Sequence, residues 1–383
     1  MVILAAAGAI WWVVAVLLLL LTLAGALLQP WLQRRRSTRA DRPPVSMILP
    51  VKLLDPGFER AQTSAFAQAY PDYEVVVGAA EAASPALDAM AAIARCQQDR
   101  PACIRQSSVT SAASPKLNVI AAALEGTAHD LVFTKDSNIS LPPDALASFV
   151  AALTPDVGLV VGVPVAVRPE RLGGHLEALL VNGHARLLLT ASALGLGFGI
   201  GKAMLFRKSD LARLGGIPSL SHTIAEDSAL AKGMGGIGLK TRFAARAVDQ
   251  ETGARSLRAV YERQVRWAVI RRGQQPAAYL FEPLVSPFVA ACAAALAAPL
   301  AGLESWVGFL LTLVLWGVCE GGLNALKGWG LSGWTVPAFL GREVVSLAAW
   351  TRAWVRQDVV WATGRYDLSA EMSRAPSGRR DEG

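Results

Sequence analysis

Ionisable side chains stand where apolar runs end. Asp136 follows Leu131–Thr134 (LVFT) by way of Lys135, and Glu81 follows Tyr73–Gly78 (YEVVVG) by a short loop. Asp227 lies in Ala225-Glu226-Asp227, where a helix is expected to begin, and Arg263, Arg266 and Trp267 lie in the run RQVRW. A carboxylate can take the proton of a hydroxyl nucleophile. Metal ions, Lys and Arg can neutralise a leaving anion whose charge grows in the transition state. Transfer of a sugar with departure of a diphosphate needs both. Asp136 at the metal–diphosphate, Asp227 as base and Arg266 as diphosphate clamp would meet those needs. Each residue also has a plainer reading. A strand-end Asp can be a turn former, the Ala225-Glu226-Asp227 carboxylates can favour a helix N-terminus through its dipole, and RQVRW can be an interfacial helix.

The elements that must position these residues alternate between strand-like and helix-like. Val45–Val51 (VSMILPV), Tyr73–Gly78, Leu131–Thr134, Leu159–Val167 and Ala203–Arg207 are apolar runs rich in β-formers, with a helix expected over Ala61–Tyr70, stopped by Pro71. Such alternation predicts an α/β domain with a mostly parallel sheet. Ligands of such sheets bind beyond the carboxyl ends of the strands, where Asp136 falls.

Both ends of this domain run into apolar sequence. Val2–Leu32 holds no charged residue. As a helix it exceeds the ~30 Å of a bilayer core, and it lacks the basic start of a cleaved signal peptide. Arg34, Arg35, Arg36 and Arg39 follow, which by the positive-inside rule places the next segment in the cytosol. Val285–Leu303 and Trp306–Leu326 each suit a spanning helix, whereas Trp334–Trp354 is interrupted by Arg342, Glu343 and Arg352 and reads as interfacial or re-entrant. The expected domains are therefore an anchor at 1–32, a cytosolic catalytic domain at 43–282, membrane segments at 283–355 and a basic cytosolic tail at 356–383.

Composition agrees. Apolar residues make up 53% of the 383 and charged residues 17%, a membrane protein with a soluble part. The net charge of +7 fits an anionic membrane surface. No aromatic–basic interleaving points to nucleic acid. Cys96, Cys103, Cys292 and Cys319 lack metal-ligand spacing and read as packing residues.

The ordered set of motifs resembles the ceramide glucosyltransferases, family-two-like glycosyltransferases with a GT-A fold, over about residues 43–369. It comprises ILPVK, Tyr70-Pro71-Asp72-Tyr73-Glu74, Pro115-Lys116-Leu117-Asn118 and Asp136-Ser137-Asn138-Ile139. His184-Ala185-Arg186, Ala225-Glu226-Asp227, RQVRW and Trp361-Ala362-Thr363-Gly364-Arg365-Tyr366 follow. The resemblance implies an inverting transfer from a UDP-sugar to a membrane lipid hydroxyl. Glu81, where the family has Asp, with Lys116, Asn118 and Asp136 would bind the donor, Asp227 would be the base, and Arg263, Arg266 and Trp267 would be catalytic residues near the diphosphate and the acceptor entrance. His184 and Arg186 would lie by the acceptor. Asp136 and Asn138 would hold Mg²⁺ or Mn²⁺, weakly, since DSN offers one carboxylate where a full DxD offers two.

UDP-glucose and ceramide are the first substrates implied. A hopanoid polyol or diacylglycerol, with UDP-GlcNAc, UDP-galactose or UDP-glucose, is the alternative, and the Ala- and Arg-rich composition of a high-GC bacterium favours the hopanoid. The place implied is a bacterial inner membrane, crossed more than once. A non-catalytic nucleotide-sugar or lipid binder is the reading from another class, and a processive synthase has too few apolar segments for a pore.

Overall fold

The structure, a computed structural model, describes residues 2–36, 41–81, 83–97, 101–106, 112–356, 358–361 and 364–367. Arg39, Ala362 and Thr363 of the terminal signature, and the tail beyond residue 367 lie outside the described residues. The chain divides into two compact units. One comprises Thr22–Pro169 and Val181–Gly253, and the other Met1–Leu21, Glu170–Leu180 and Ala254–Gly383.

The first helix, α1 (Val2–Arg36), contributes to both. In the first unit the chain then runs β1 (Val45–Val51), α2 (Phe58–Phe66), β2 (Tyr73–Ala79), α3 (Pro85–Arg95), β3 (Ala102–Gln106), α4 (Pro115–Glu125) and β4 (Leu131–Lys135). Next come β5 (Ile139–Ser140), α5 (Ala145–Ala152), β6 (Val157–Val161), β7 (Pro164–Glu170), α6 (Arg171–Ala193), whose residues up to Leu180 belong to the second unit, β8 (Ala203–Arg207) and α7 (Lys208–Arg213). The unit ends with α8 (Glu226–Gly236), β9 (Lys240–Phe243) and β10 (Val248–Ala254).

Seven strands form one sheet in the order β3-β2-β1-β4-β8-β6-β9. Neighbours pair in parallel except β8, which is antiparallel to both β4 and β6. Central strands covered on both faces need continuous apolar runs, and every residue of β4 and β6 is buried. Phe133 of β4 meets Phe149 of α5 edge to face, ring centroids 4.9 Å apart, in the core beneath the sheet. A second sheet has the order β5-β10-β7.

Two expectations need correction. The run Leu159–Val167 is not one strand: it breaks at Gly162 between β6 and β7, which belong to different sheets. A Cβ at Gly162 would sit 2.8 Å from the Phe149 ring, so only glycine lets the chain pass here. The helix expected over Ala61–Tyr70 instead spans Phe58–Phe66, starting after Gly57 in the left-handed region (φ 70°).

The end of α1 extends past Leu32 to Arg36 and is stitched to the last turns of α6. Gln29 Nε2 donates to Ser192 Oγ at 3.1 Å, and Arg36 Nη1 to the Ala193 carbonyl at 2.6 Å. Gly25 lies against Thr190, too close for any side chain.

The second unit holds α9 (Leu257–Gln274), α10 (Pro276–Phe281), α11 (Pro287–Ala297), α12 (Ser305–Lys327), α13 (Thr335–Val355) and a hairpin of β11 (Asp358–Trp361) and β12 (Gly364–Asp367). Among the described residues, α1 and α12 are long and apolar enough to cross a membrane. The expected span Val285–Leu303 is not one helix. Pro287–Ala301 is bent by 56° from Pro276–Val285, and only as a broken pair do they make a third candidate span. Pro283, Pro287 and Pro299 lack the N–H an uninterrupted helix requires. Leu176, Leu179, Leu180, Val260 and Ala338 form a buried cluster that holds α6, α9 and α13 together. All four cysteines are free, and Cys96 and Cys103 are exposed, so those two do not pack a core.

Candidate active site

The carboxyl end of β4 delivers Asp136. Its backbone N–H donates to the Lys202 carbonyl at 2.9 Å, which ties the strand end to the loop entering β8. The Asp136 carboxylate meets an ammonium on each oxygen: Lys116 Nζ lies 2.6 Å from Oδ1 and Lys202 Nζ 2.7 Å from Oδ2.

Lys116 is placed by the start of α4, where Ser114 caps the helix and Pro115 supplies a preset φ at its first position. Its ammonium also donates to the Gly201 carbonyl at 2.5 Å and lies 3.7 Å from Glu226 Oε1. Burial works to lower its pKa, but Asp136, Glu226 and Asp227 around it prevail and raise it above the ordinary lysine value. For Asp136 the same balance runs the other way. Burial opposes its charge, yet Lys116 and Lys202 hold it well below the usual carboxylate range. The three groups form an ion triad.

Glu226 and Asp227 open α8. Glu226 Oε2 accepts from Ser114 Oγ at 3.1 Å, and burial pushes the group up to about 7 against the pull of Lys116. Asp227 Oδ2 accepts the Gly201 N–H at 2.6 Å, and Oδ1 accepts the Ser228 N–H at 2.8 Å. Burial raises the Asp227 pKa, with Ser228, Lys116 and Gly201 working against it. A carboxylate so held, aimed and raised suits a general base.

Gly201 therefore bridges the two carboxylates, taking Lys116 on its carbonyl and giving its N–H to Asp227. It ends the run Gly195-Leu196-Gly197-Phe198-Gly199-Ile200-Gly201-Lys202. A Cβ on Gly199 would lie 2.2 Å from the Asp227 carbonyl oxygen, so the loop can pass beneath α8 only as glycine. Sequence reasoning missed Lys202, Gly199, Gly201, Glu226 and Ser114. The alternate glycines before Lys202 were the available signal.

The other expected residues are placed as follows. Glu81 is exposed, two residues beyond the carboxyl end of β2. Asn118 spends its amide on Ala112, accepting its N–H at 2.9 Å and donating to its carbonyl at 3.1 Å, so it secures the loop before α4. In the DSN motif, Ser137 donates to Asp55 Oδ2 at 2.5 Å, and Asn138 is buried with its carbonyl paired to the Glu251 N–H. The described residues contain no group of three or more His, Cys, Asp and Glu arranged to hold a metal ion. His184 is exposed on α6 and Arg186 is buried. Positions two apart on a helix point to different sides, so the pair does not share one face.

Arg263, Arg266 and Trp267 lie on α9 in the second unit. Arg263 Nε is 3.0 Å from Glu177 Oε1, and its guanidinium stands 4.9 Å from the centre of the Trp267 ring. Glu177 is fully buried and also pairs with Arg255 at 2.5 Å. Arg266 and Trp267 are half-buried.

Comparison with known proteins bears on this arrangement. The ceramide glucosyltransferase 1 of Caenorhabditis elegans is 23% identical over 335 residues, covering 85% of this chain and 72% of its own. The ceramide glucosyltransferase of Komagataella phaffii is 26% identical over 340 residues, covering 72% of this chain and 66% of its own. Among solved structures, a mannosyltransferase from Pyrobaculum calidifontis in complex with GDP-Man and Mn²⁺ superposes with a TM-score of 0.50 at 20% identity, over 90% of this chain and 98% of that one. The fold is thus the GT-A fold that the resemblance implied. The family model for glycosyl transferase family 21 matches residues 10–373, nearly the whole chain, and the protein belongs to that family of glycosyltransferases.

Proposed function

We propose that the protein transfers a hexose from a UDP-sugar to the hydroxyl of a membrane lipid, with inversion at the sugar carbon. Glucose and a ceramide-type acceptor are the first substrates, by likeness to the relatives named as ceramide glucosyltransferases. The observation that supports the reading is the Gly201 backbone, whose carbonyl and N–H join a cationic Asp136–Lys116–Lys202 cluster to the raised carboxylate of Asp227.

Asp227 accepts the proton of the acceptor hydroxyl as its oxygen bonds to the anomeric carbon. The bond from that carbon to the diphosphate oxygen breaks, and UDP leaves with the electron pair. Lys116 and Lys202 neutralise the charge that grows there, and Arg266 is assigned to the diphosphate by the family resemblance alone. Glu81 is assigned to the nucleoside, and His184 and Arg186 to the acceptor side. Residues 43–282 form the cytosolic catalytic domain, and 1–32 with 283–355 hold it in a bacterial inner membrane. A divalent ion at Asp136, with Asn138 as its neutral neighbour, must displace an ammonium from a carboxylate already doubly paired. It is therefore held weakly, and no step above depends on it.

Purified membranes given radiolabelled UDP-glucose, UDP-GlcNAc or UDP-galactose, with ceramide, diacylglycerol or a hopanoid polyol, test the reading. Label in one lipid names both substrates. UDP-sugar binding with no labelled lipid would leave a binding protein in place of an enzyme.

A further inference from the structure

Asp136 is the one carboxylate of the DSN motif, and its two oxygens are already taken by Lys116 at 2.6 Å and Lys202 at 2.7 Å. The two lysines are held differently. The Lys116 ammonium is also tied to the Gly201 carbonyl and faces Glu226, and its side chain is 11% exposed. The Lys202 side chain is 21% exposed, and its backbone carbonyl is fixed to the Asp136 N–H. Its base is therefore anchored beside the carboxylate, and its side chain is the more exposed of the two. The DSN motif offers a hard divalent cation one carboxylate and one neutral amide, so most of its about six oxygen ligands would have to come from water and phosphate. That donor set does not fit a resident metal ion while both lysines stay in place.

Resting on the reading of this site as the UDP-sugar site, we infer that Lys202 is the residue that binds the donor diphosphate in place of a metal ion, and that a divalent cation competes with it for Asp136. Lys116, bonded also to the Gly201 carbonyl, is the more buried charge on Asp136, and Lys202 is the more exposed one. An ammonium on an anionic phosphate oxygen makes a charge-assisted hydrogen bond, stronger than its neutral counterpart. Exchanging the Asp136 oxygen for a diphosphate oxygen leaves Lys202 paired throughout. The carboxylate it leaves is still neutralised by Lys116.

The test is UDP binding by titration calorimetry to the full-length protein in nanodiscs, in EDTA and in Mn²⁺, with Mn²⁺ binding in the absence of nucleotide followed by electron paramagnetic resonance. The wild type should bind UDP in EDTA within roughly threefold of its affinity in Mn²⁺, a difference well under the tenfold worth of about 1.4 kcal/mol. Lys202→Met should lose on the order of tenfold or more of the affinity in EDTA, the worth of one charge-assisted hydrogen bond, and recover part of it in Mn²⁺. It should also bind Mn²⁺ alone more tightly than the wild type. Lys202→Arg, which keeps the charge, should retain EDTA binding and shows that the site survives substitution. A wild type that binds UDP only in Mn²⁺, or a Lys202→Met variant indistinguishable from it, overturns the inference and leaves the UDP-sugar reading standing. Absence of UDP binding in either buffer would defeat that reading as well.

Discussion

The Gly201 N–H donates to Asp227 Oδ2 at 2.6 Å, and the carbonyl of the same glycine takes Lys116 at 2.5 Å. One residue, through the two peptide units that flank its Cα, thus orients the base and the donor-side lysine together. Asp227 itself is held by two backbone N–H groups, those of Gly201 and Ser228. Asp227→Asn should abolish transfer while UDP affinity changes by less than about threefold, since a base acts on the acceptor proton. Calorimetry with UDP beside a radiolabel transfer assay separates the two. A fall in UDP affinity as steep as the fall in turnover would move Asp227 to the donor site.

Burial raises the Asp227 pKa, which fixes a pH dependence. A protonated carboxylate cannot accept the acceptor's proton, so rate is lost as pH falls through the raised value. The acid limb of kcat/KM should therefore lie above the ordinary aspartate value of about 3.9. A profile measured on transfer to a fixed acceptor checks it. A limb at the ordinary value would mean that the burial of Asp227 does not govern its titration.

Gly199 lies against the backbone of the first turn of α8, its absent Cβ 2.2 Å from the Asp227 carbonyl oxygen. Gly199→Ala must displace either the loop or the helix start. It should cost roughly 1–3 kcal/mol, as overpacking does, and depress turnover by shifting Asp227. Gly235→Ala is the control, since a Cβ there meets nothing within 4 Å and the residue is helical. It should stabilise by about 0.5–1 kcal/mol and leave turnover alone. Denaturant melts with transfer assays on both variants decide the point, and equal behaviour of the two would refute it.

What the sequence shows of this molecule follows from how local each signal is. Val45–Val51 and Leu131–Thr134 read as strands because both faces are buried and most residues are apolar β-formers. Ala102–Gln106, Lys240–Phe243 and Val248–Ala254 escape that reading. The first two are edge strands carrying polar and exposed residues, and β10 has the composition of a loop. Leu159–Val167 misleads in the opposite way: Gly162 and Pro164 mark a break in the run, but nothing local says that the chain changes sheets there. Asp136 is legible from its strand end. Lys202 is not, because its partner lies 66 residues away and only the antiparallel pairing of β4 with β8 brings them together.

In the second unit, Glu177 is fully buried between Arg255 at 2.5 Å and Arg263 at 3.0 Å. Several of the facing atoms lack hydrogen-bond geometry, so the contact is chiefly ionic. Glu177→Gln keeps the shape and removes the charge that both guanidiniums face. It should cost roughly 3–5 kcal/mol, the scale of stranding a buried charge. A Glu177/Arg263 double-mutant cycle read by denaturant unfolding should give a coupling above about 1 kcal/mol. Additive single variants would show that Arg263 is not held by Glu177.

Arg342 presents the same physics within the apolar helices. Its Nη1 lies 2.6 Å from Glu320 Oε2 of α12, and its Nε 2.9 Å from Glu343 Oε1 of α13. Trp316 Nε1 donates to the other oxygen of Glu320 at 3.2 Å. An ionisable group among apolar helices survives only when paired. Arg342→Met leaves two carboxylates facing each other without their cation and should cost roughly 3–5 kcal/mol. The triple variant with Glu320→Met and Glu343→Met removes every charge together and should recover most of that loss, because a buried ion cluster is often no more stable than apolar residues of similar volume. Thermal retention of monodisperse protein in detergent would report both. A single variant as stable as the wild type would show that the cluster does not hold α12 to α13, and a triple variant as weak as the single one would show that its geometry matters beyond its charge balance.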